Sequence, residues 1–595
     1  MITGDLIEEM WVALVSPTPF GTPTARVPEP AAGIDAVRGD RSTGWTSQTR
    51  SEVLARNGMV ATSQPSAAQA GLRVLQDGGN SVDAAVATAA VLGVVEPYSA
   101  GLGGDAFVLH YSAKSRELYG LNASGWAPKA WTPRYFADRG HTAATGMPPH
   151  GPDSVTVPGV VDGWCRLLDR FGSRSLASVL VPAIAYAEDG FPVTERIRHD
   201  WAAEEGLLRR DADSASTYLV DGGAPALYSV FRNPSLARAY RTLARDGRDA
   251  FYTGDVARAV VDKVSLLGGS MTAADLAEFR SEWVDPVHVD YRGYDVHQIP
   301  PNAQGFATLV MLNVLEQVDA VHGTSLRGLG PRSPLFWHLL VEAKKLAYDE
   351  LHRHNGDPRF VDVPLDRLLS KAYAKELCRR IDLHRATPPK ERGAVGGGTV
   401  YLTTADRWGN MTSFIYSVFQ AFGSAITVPG YGFPLHNRGA LFDLDTDSPN
   451  IVAGRKRPFH TIIPAFVTRD GRPVLSFGNM GGAAQPQAQA TELVNMIDLG
   501  MNLQAAVDAA RFNHRQDDDT LQLEPALREV VGPRMADMGH HLIDASIESM
   551  GGYQAIHFTP ETPGDWPGSV GRDGPVNGVY RAASDHRKDG AAVGW

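Results

Sequence analysis

Apolar and polar positions divide the chain into three textures, with changes near residues 58 and 399. Residues 1–58 hold no sustained period and many Pro, Gly, Ser and Thr, which predicts a poorly ordered extension before the pattern opens at Met59. From Ser66, "SAAQAGLRVLQDGGN" spaces its apolar residues helically and runs into Gly78-Gly79, a C-cap signal. Ser81 can then cap "VDAAVATAAVLGVV", a helix apolar nearly all round and so expected between layers. Between about 160 and 390 helical patterns dominate, as in "GLLRRDADSAS", "NPSLARAYRTLARDG" and "LFWHLLVEAKKLAYDELHRH". "PPNAQG" precedes another helix and reads as a fixed loop. After Thr399 the period changes to that of strands. "TVYLTTAD" and "MTSFIYSVF" flank a short turn at Gly409-Asn410, and "PAFVTRDGRPVLSF" turns at Asp470-Gly471. Strands with helices on both sides predict sheets stacked between helical layers.

Composition narrows the functional classes. The 595 residues are 43% hydrophobic and 21% charged, which suits a globular protein with a large core. A net charge of −11, with no basic cluster longer than "GRKRP", argues against a nucleic-acid partner. Two cysteines, Cys165 and Cys378, cannot build a disulfide framework. Acidic residues stand where a signal peptide needs basic ones, and no apolar run reaches the ~18 residues of a membrane span. A cytoplasmic enzyme without a membrane partner is the expectation.

Familiar catalytic motifs are missing: there is no H-E-x-x-H, G-x-S-x-G, P-loop or C-x-x-C. Gly101, Gly103 and Ala106 satisfy G-x-G-x-x-G/A, but here a helix precedes the glycines and a strand follows, the reverse of a dinucleotide site. A tight turn packing helix against strand explains them better. His352 and His354, and His540-His541, lack matching carboxylates at ligand spacing, so neither metal nor cofactor is expected.

One junction stands out. Three glycines, Gly396, Gly397 and Gly398, lead directly into Thr399 at the head of a strand. A Thr hydroxyl is a poor nucleophile without a base beside it. Cutting the Gly398–Thr399 bond would supply one, because the freed α-amine has a pKa of about 8 and is tethered to its own hydroxyl. The glycines would let the chain bend for the attack, and the strand behind would hold the new terminus.

Beyond this junction, the chain from Met59 resembles the γ-glutamyltranspeptidase family of N-terminal nucleophile hydrolases. The matching pieces occur in order: "MVATSQPSAAQAGLRVLQDGGNSVDAAVATAAVLGVVEP", "GLGGDAFVLHY", "VPGVVDGW", "PPNAQG", "EAKKLAYDE", "TVYLTTADRWGN", "FGSAI", "KRPFHTIIPA", "GNMGG", "NMIDLGMNLQAAVDAARF" and "ASDHRKDGAAVGW". The resemblance implies an α+β fold, a four-layer αββα sandwich. It also implies autocleavage between Gly398 and Thr399, giving a large subunit (59–398 after the extension) and a small one (399–595) that share one core. Thr399 would be the nucleophile and Ser417 a second hydroxyl beside it. Gly481 and Gly482 match the glycines whose N–H groups form the oxyanion hole. His460 and Thr461 stand where the family places two substrate-contacting serines.

Glutamate recognition is what the sequence lacks. The family's α-carboxylate-binding Arg aligns with Ser124, with Trp126 two residues on, and its Asn after the second hydroxyl aligns with Phe419. Where an Asp should receive the α-amino group, the sequence has Gly439, Ala440 and Leu441. Each lost charge-assisted contact weakens binding by about 1.5–3 kcal/mol, so a less charged acyl group than glutamyl is expected, lined by Ser124, Trp126, Phe419, Ala440, His460 and Thr461. Arg438 or His436 could bind a carboxylate or make a structural salt bridge.

The sequence therefore reads as a self-processing Thr hydrolase that cleaves an amide-type acyl bond of a small molecule and pairs its own two subunits, with a homodimer left open. Two alternatives stand: a C–C bond hydrolase of a secondary-metabolite (antibiotic) pathway using the same Thr, which the Arg-rich, Lys-poor composition allows, and an unprocessed scaffold.

Overall fold

The computed structural model describes residues 48–391, 398–546, 549–567 and 575–595. Its 14 principal strands form two antiparallel sheets of seven. In chain order they are β1 (Val53–Ala55), β2 (Gly58–Thr62), β3 (Asp105–Ser112), β4 (Glu117–Ala123), β5 (Glu282–Val284), β6 (Val287–Tyr291) and β7 (Tyr294–Gln298), followed by β8 (Gly398–Asp406), β9 (Met411–Phe419), β10 (Ala465–Arg469), β11 (Arg472–Met480), β12 (Gly552–Pro560), β13 (Gly578–Ser584) and β14 (Ala591–Gly594). One sheet runs β14-β2-β8-β9-β3-β4-β5 and the other β1-β13-β12-β11-β10-β7-β6. The helices that matter for the site are α1 (Pro65–Gln76), α2 (Ser81–Val95), α3 (Val160–Phe171), α4 (Phe306–Glu316), α5 (Pro334–His354) and α6 (Gln485–Ile497).

The sheets face one another across a core built from residues such as Phe107, Tyr401, Ile415, Phe466, Met480 and Tyr580. On its outer face the first sheet packs Val400, Leu402, Phe414 and Tyr416 against α2 and α3. The outer face of the second packs Ala465, Val467, Leu475 and Phe477 against α4, α5 and α6. The result is the expected four-layer αββα sandwich. Covering both faces explains why the strands of the β8–β9 hairpin are buried along nearly their whole length.

Both hairpins turn where the sequence placed them. Gly409 at φ 93° closes β8–β9, and Asp470 and Gly471, at φ 52° and 72°, form the two-residue turn of β10–β11. All fifteen residues of α2 are buried, in keeping with its apolar circumference. Its cap is Asn80 rather than Ser81: the Asn80 side chain accepts from the Val82 and Asp83 N–H groups, and Asp83 returns a bond to Asn80 N–H. The run "GLLRRDADSAS" is two short helices, Glu205–Leu208 and Ala212–Tyr218, because Asp211 caps the second.

The extension ends earlier than expected. Residues 48–57, placed in it by composition, belong to the fold: β1 pairs with β13, Thr49 donates to Asp508, and Glu52 binds Arg581 at 2.8 Å. Composition could not reveal this, because the partners lie some 500 residues away. Residues 1–47 fall outside the described residues, as do Gly396 and Gly397.

Strand order has a consequence for the Gly398–Thr399 junction. β8 lies between β2 and β9, and β14 flanks β2 on the other side. Strands from before and after the junction thus interleave in one sheet, so a cut there leaves both pieces hydrogen-bonded together. Among the described residues no helix is long and apolar enough to cross a membrane.

Candidate active site

Thr399 sits where the β8–β9 ladder is irregular. Gly398 pairs with Phe419 but Val400 pairs with Tyr416, so Ser417 and Val418 together stand opposite Thr399. Such a bulge re-aims side chains, and Phe419 takes up the distortion at φ 76°. The hydroxyls of Thr399 and Ser417 consequently converge on one atom. Thr399 Oγ1 donates to Gly398 O at 2.7 Å, and Ser417 Oγ donates to the same oxygen at 2.6 Å.

Ser417 has no freedom to do otherwise. Its oxygen accepts from Phe419 N–H at 2.7 Å and from Arg438 Nη2 at 3.1 Å. With two donors on the oxygen, the hydroxyl proton is directed to Gly398 O. Arg438 is wholly buried, also donates to Thr461 Oγ1 at 2.9 Å, and lies 4.5 Å over the Phe419 ring. Burial pulls its guanidinium down to about 9, against the opposing influence of Asp105.

Asp105 pairs with Ser417 across β3 and β9. Its Oδ1 accepts from the Gly125 and Gly159 N–H groups, each at 3.1 Å, and its Oδ2 lies 3.2 Å from His460 Nε2 and 3.5 Å from His436 Nδ1. Burial works to raise the carboxyl, but these histidines and Arg438 outweigh it and hold it below the usual carboxylate range. Burial drives His460 down to about 3 and also lowers His436. The assembly is thus an anionic Asp105 and a cationic Arg438 among neutral imidazoles.

Gly481 and Gly482 follow β11, with φ of 120° and 58°, and lead through a short 3₁₀ turn into α6. This sets the Gly-Gly turn at a helix N-terminus, whose partial positive charge favours a developing anion. Gln304 Nε2 ties Gly482 O (2.9 Å) to Thr461 O. Asn302 Nδ2 donates to Ser124 Oγ at 3.2 Å, while its carbonyl accepts His460 N–H at 3.0 Å. The loop "PPNAQG" is therefore the brace behind the site. The glycines of "GLGG" serve close approach: a Cβ on Gly103 would lie 2.1 Å from Pro434 O and one on Gly104 2.5 Å from Ser417 O.

Thr399, Gly398 and Gly481 open on a cavity of about 400 Å³ that also takes in Met480, Lys344 and Lys588. None of the six residues expected to line the acyl pocket lines it. Phe419, His460 and Thr461 gather behind the nucleophile around Arg438 and Asp105. Ser124 is buried against Asn302, and Ala440 packs into the core beside α4 and α5. Trp126 lies farther off, donating to Asp275 O and packing on Phe279. The cavity's wall mixes ionisable side chains, among them Arg196, Asp200, Arg515, Asp517 and Lys588, with apolar ones such as Ala421, Met480 and Ala484. An apolar acyl pocket inferred from Phe419, Trp126 and Ala440 is therefore not what these positions build.

Arg438 does not line the cavity; it is buried with its guanidinium on Ser417, Thr461 and the Phe419 ring. Asp105 carries no sequence signal for its place here, because only the β3–β9 register brings it beside Ser417. One group of metal-type donors exists among the described residues: His338 and Glu342 on α5 with His540. His338 Nδ1 and His540 Nε2 lie 2.8 Å apart and share a proton, while Lys345 Nζ lies 3.3 Å from Glu342. A resident cation beside the carboxylate works against a second one.

With this geometry in place, comparison with known proteins gives a consistent answer. The family profile described as Gamma-glutamyltranspeptidase matches residues 67–595. The glutathione hydrolase-like YwrD proenzyme of Bacillus subtilis (strain 168) is 37% identical over 555 residues, 91% of this chain and 99% of its own. An oxamate amidohydrolase proenzyme of Klebsiella pneumoniae subsp. pneumoniae is 33% identical over 555 residues, again 91% and 99%. Among solved structures, cephalosporin acylase from Bacillus halodurans matches with a TM-score of 0.83 at 37% identity, covering 93% of this chain and 99% of that one.

Proposed function

The chain belongs to the gamma-glutamyltranspeptidase family of proenzyme hydrolases, and from that premise we propose that it cuts its own Gly398–Thr399 bond and then hydrolyses an acyl amide through an acyl-Thr399 ester. The observation that carries this reading is the convergence of the Thr399 and Ser417 hydroxyls on Gly398 O.

In maturation, Thr399 Oγ1 attacks the Gly398 carbonyl carbon and its proton passes to the amide nitrogen. The carbonyl oxygen becomes an oxyanion held by Ser417, whose proton already points at it. Collapse breaks the C–N bond and leaves Gly398 esterified to Thr399. Water hydrolyses the ester, freeing the Gly398 carboxylate and the Thr399 amine.

In turnover, that amine takes the Oγ1 proton as the hydroxyl attacks the substrate carbonyl, then gives it to the departing amine. Backbone N–H groups of Gly481 and Gly482 receive the oxyanion at the positive end of α6. Water then releases the acid. The substrate is not a γ-glutamyl compound, since the Arg, Asn and Asp that clamp a zwitterionic head are replaced by Ser124, Phe419 and Ala440. The three relatives are named for different acyl compounds, so the family name alone does not choose one.

A panel of acyl p-nitroanilides, assayed with mature wild type and with Thr399→Ala, tests this function. Anilide release by wild type alone supports it. A correctly cut enzyme that opens no amide would favour a C–C bond hydrolase on the same nucleophile.

A further inference from the structure

The run "EAKKLAYDE" lies within α5, and its Tyr348 reaches across to the turn that precedes α6. Tyr348 is 2% exposed and stands on the wall of the cavity that contains Thr399. Its hydroxyl donates to Ala483 O, the carbonyl directly after the Gly-Gly pair. Burial pushes the phenol's pKa up, against the Gln487 N–H that faces its oxygen, so the group keeps its proton. Gln487 is the third residue of α6, and its N–H is among those that a helix start leaves without an intrahelical partner. The ring is held as well. Lys344 Nζ lies 3.8 Å from its centroid, and is itself placed by Gln516 Oε1 at 2.8 Å and His514 Nδ1 at 3.0 Å.

Three successive carbonyls of the turn each receive one donor. Gly481 O accepts from Ala484 N–H at 3.1 Å, Gly482 O from Gln304 Nε2 at 2.9 Å, and Ala483 O from Tyr348. A trans peptide is planar, with its N–H opposed to its C=O. Fixing Ala483 O therefore aims the Ala484 N–H of the same peptide, and that N–H holds Gly481 O. Fixing Gly481 O in turn aims the Gly482 N–H at the other end of its own peptide. Two planar units thus connect the Tyr348 hydroxyl to the Gly482 donor, and hydrogen bonds in series polarise one another. The glycines cannot supply this constraint themselves, since a residue without Cβ restricts its own backbone least.

Building on the proposed turnover, we infer that Tyr348 is a positioning residue for the oxyanion: its bond to Ala483 O sets the direction of the Gly482 N–H that receives the charge. It serves turnover and not maturation, where Ser417 holds the oxyanion. The bond is not what joins the two helices, because α5 and α6 share an apolar cluster that includes Leu340, Ala347, Ala490 and Leu493.

The test is Tyr348→Phe, which removes the hydroxyl and keeps the ring. Its chain should be cut at the wild-type rate. With the p-nitroanilide that wild type hydrolyses best, kcat should fall about tenfold, less than the ~10²–10³-fold that follows loss of a donor itself. KM should stay within about twofold, since ground-state binding is untouched.

An alkylboronic acid reads the same turn in any cut enzyme, whether or not it opens an amide. Thr399 Oγ1 bonds to boron, its proton passes to the Thr399 amine, and the tetrahedral borate places an oxygen where the oxyanion forms. Its KI should rise about tenfold in Tyr348→Phe, while the KI of a carboxylic acid product stays unchanged. A wild-type kcat and boronate KI, or equal weakening of boronate and product, overturns the assignment. Failure of both Tyr348→Phe and Tyr348→Met to fold would make the residue structural and overturn it too. Gels read alongside separate this from the premise: an uncut wild-type chain inert to every anilide would defeat the Thr399 chemistry itself.

Discussion

Ser417 Oγ and Gly398 O lie 2.6 Å apart, with the Ser417 proton between them because Phe419 N–H and Arg438 occupy the rest of the Ser417 oxygen. A donor fixed on the carbonyl of the bond to be cut is preorganised for an oxyanion that exists only in the transition state. Ser417→Ala is therefore expected to slow autocleavage by about 10²–10³-fold, whereas Ser417→Thr should process within about tenfold of wild type. The fraction of cut chain against time after rapid purification measures this. Wild-type processing by Ser417→Ala would remove Ser417 from the mechanism.

Gly481 offers the complementary experiment. At φ 120° it holds a conformation that L side chains rarely adopt, and a Cβ would meet Gly551. Gly481→Ala is expected to leave maturation intact, since the oxyanion formed then is held by Ser417, but to lower turnover by about 10²-fold or more. Equal loss of both steps would mean that one oxyanion site serves maturation and turnover.

Arg438 supports the site from behind. Removing its guanidinium leaves Asp105 as a buried anion and takes donors from Ser417 and Thr461. Arg438→Met is expected to lower stability by about 3–5 kcal/mol and to slow processing. Arg438→Lys should recover stability better than processing, since one ammonium cannot reproduce the planar fork. Denaturant unfolding of the purified chains, with a processing time course, gives both readouts.

Two buried carboxyls set a pH dependence. Burial raises Glu96 to about 7, against Lys588 and Ser63, and raises Glu492 to about 7 against Arg511. Between the unfolded value of about 4.5 and pH 7 the native state keeps protons that the unfolded chain has released. This contribution is fully present below pH 4.5 and is lost as pH rises through 7, by up to about 1.4 kcal/mol per pH unit per group. Glu96→Gln should flatten the fall in Tm between pH 5 and 7. A slope unchanged by the substitution would contradict the shift.

Much of this was legible in the chain itself. Thr399 could be singled out because glycines, a hydroxyl and a strand start coincide, and sheets between helical layers because strand patterns stand among helical ones; the four-layer αββα order was legible only through the family resemblance. The acyl wall was not legible. Phe419, His460 and Thr461 occupy family positions, yet the β8–β9 bulge and the Arg438–Asp105 core draw them behind the nucleophile. Asp105 and Glu52 meet partners hundreds of residues away, where neither period nor spacing carries a signal. Asn80 displaced Ser81 as a cap because Asp83 could return its bond, a choice decided by local geometry.

Turnover depends on the chain beginning anew at Thr399. Intact mass and N-terminal sequencing of the purified protein test that most directly. Two chains are expected, the smaller of 197 residues starting at Thr399, with Thr399→Ala remaining single. One uncut wild-type chain of 64.0 kDa would leave Thr399 without its base and contradict the mechanism.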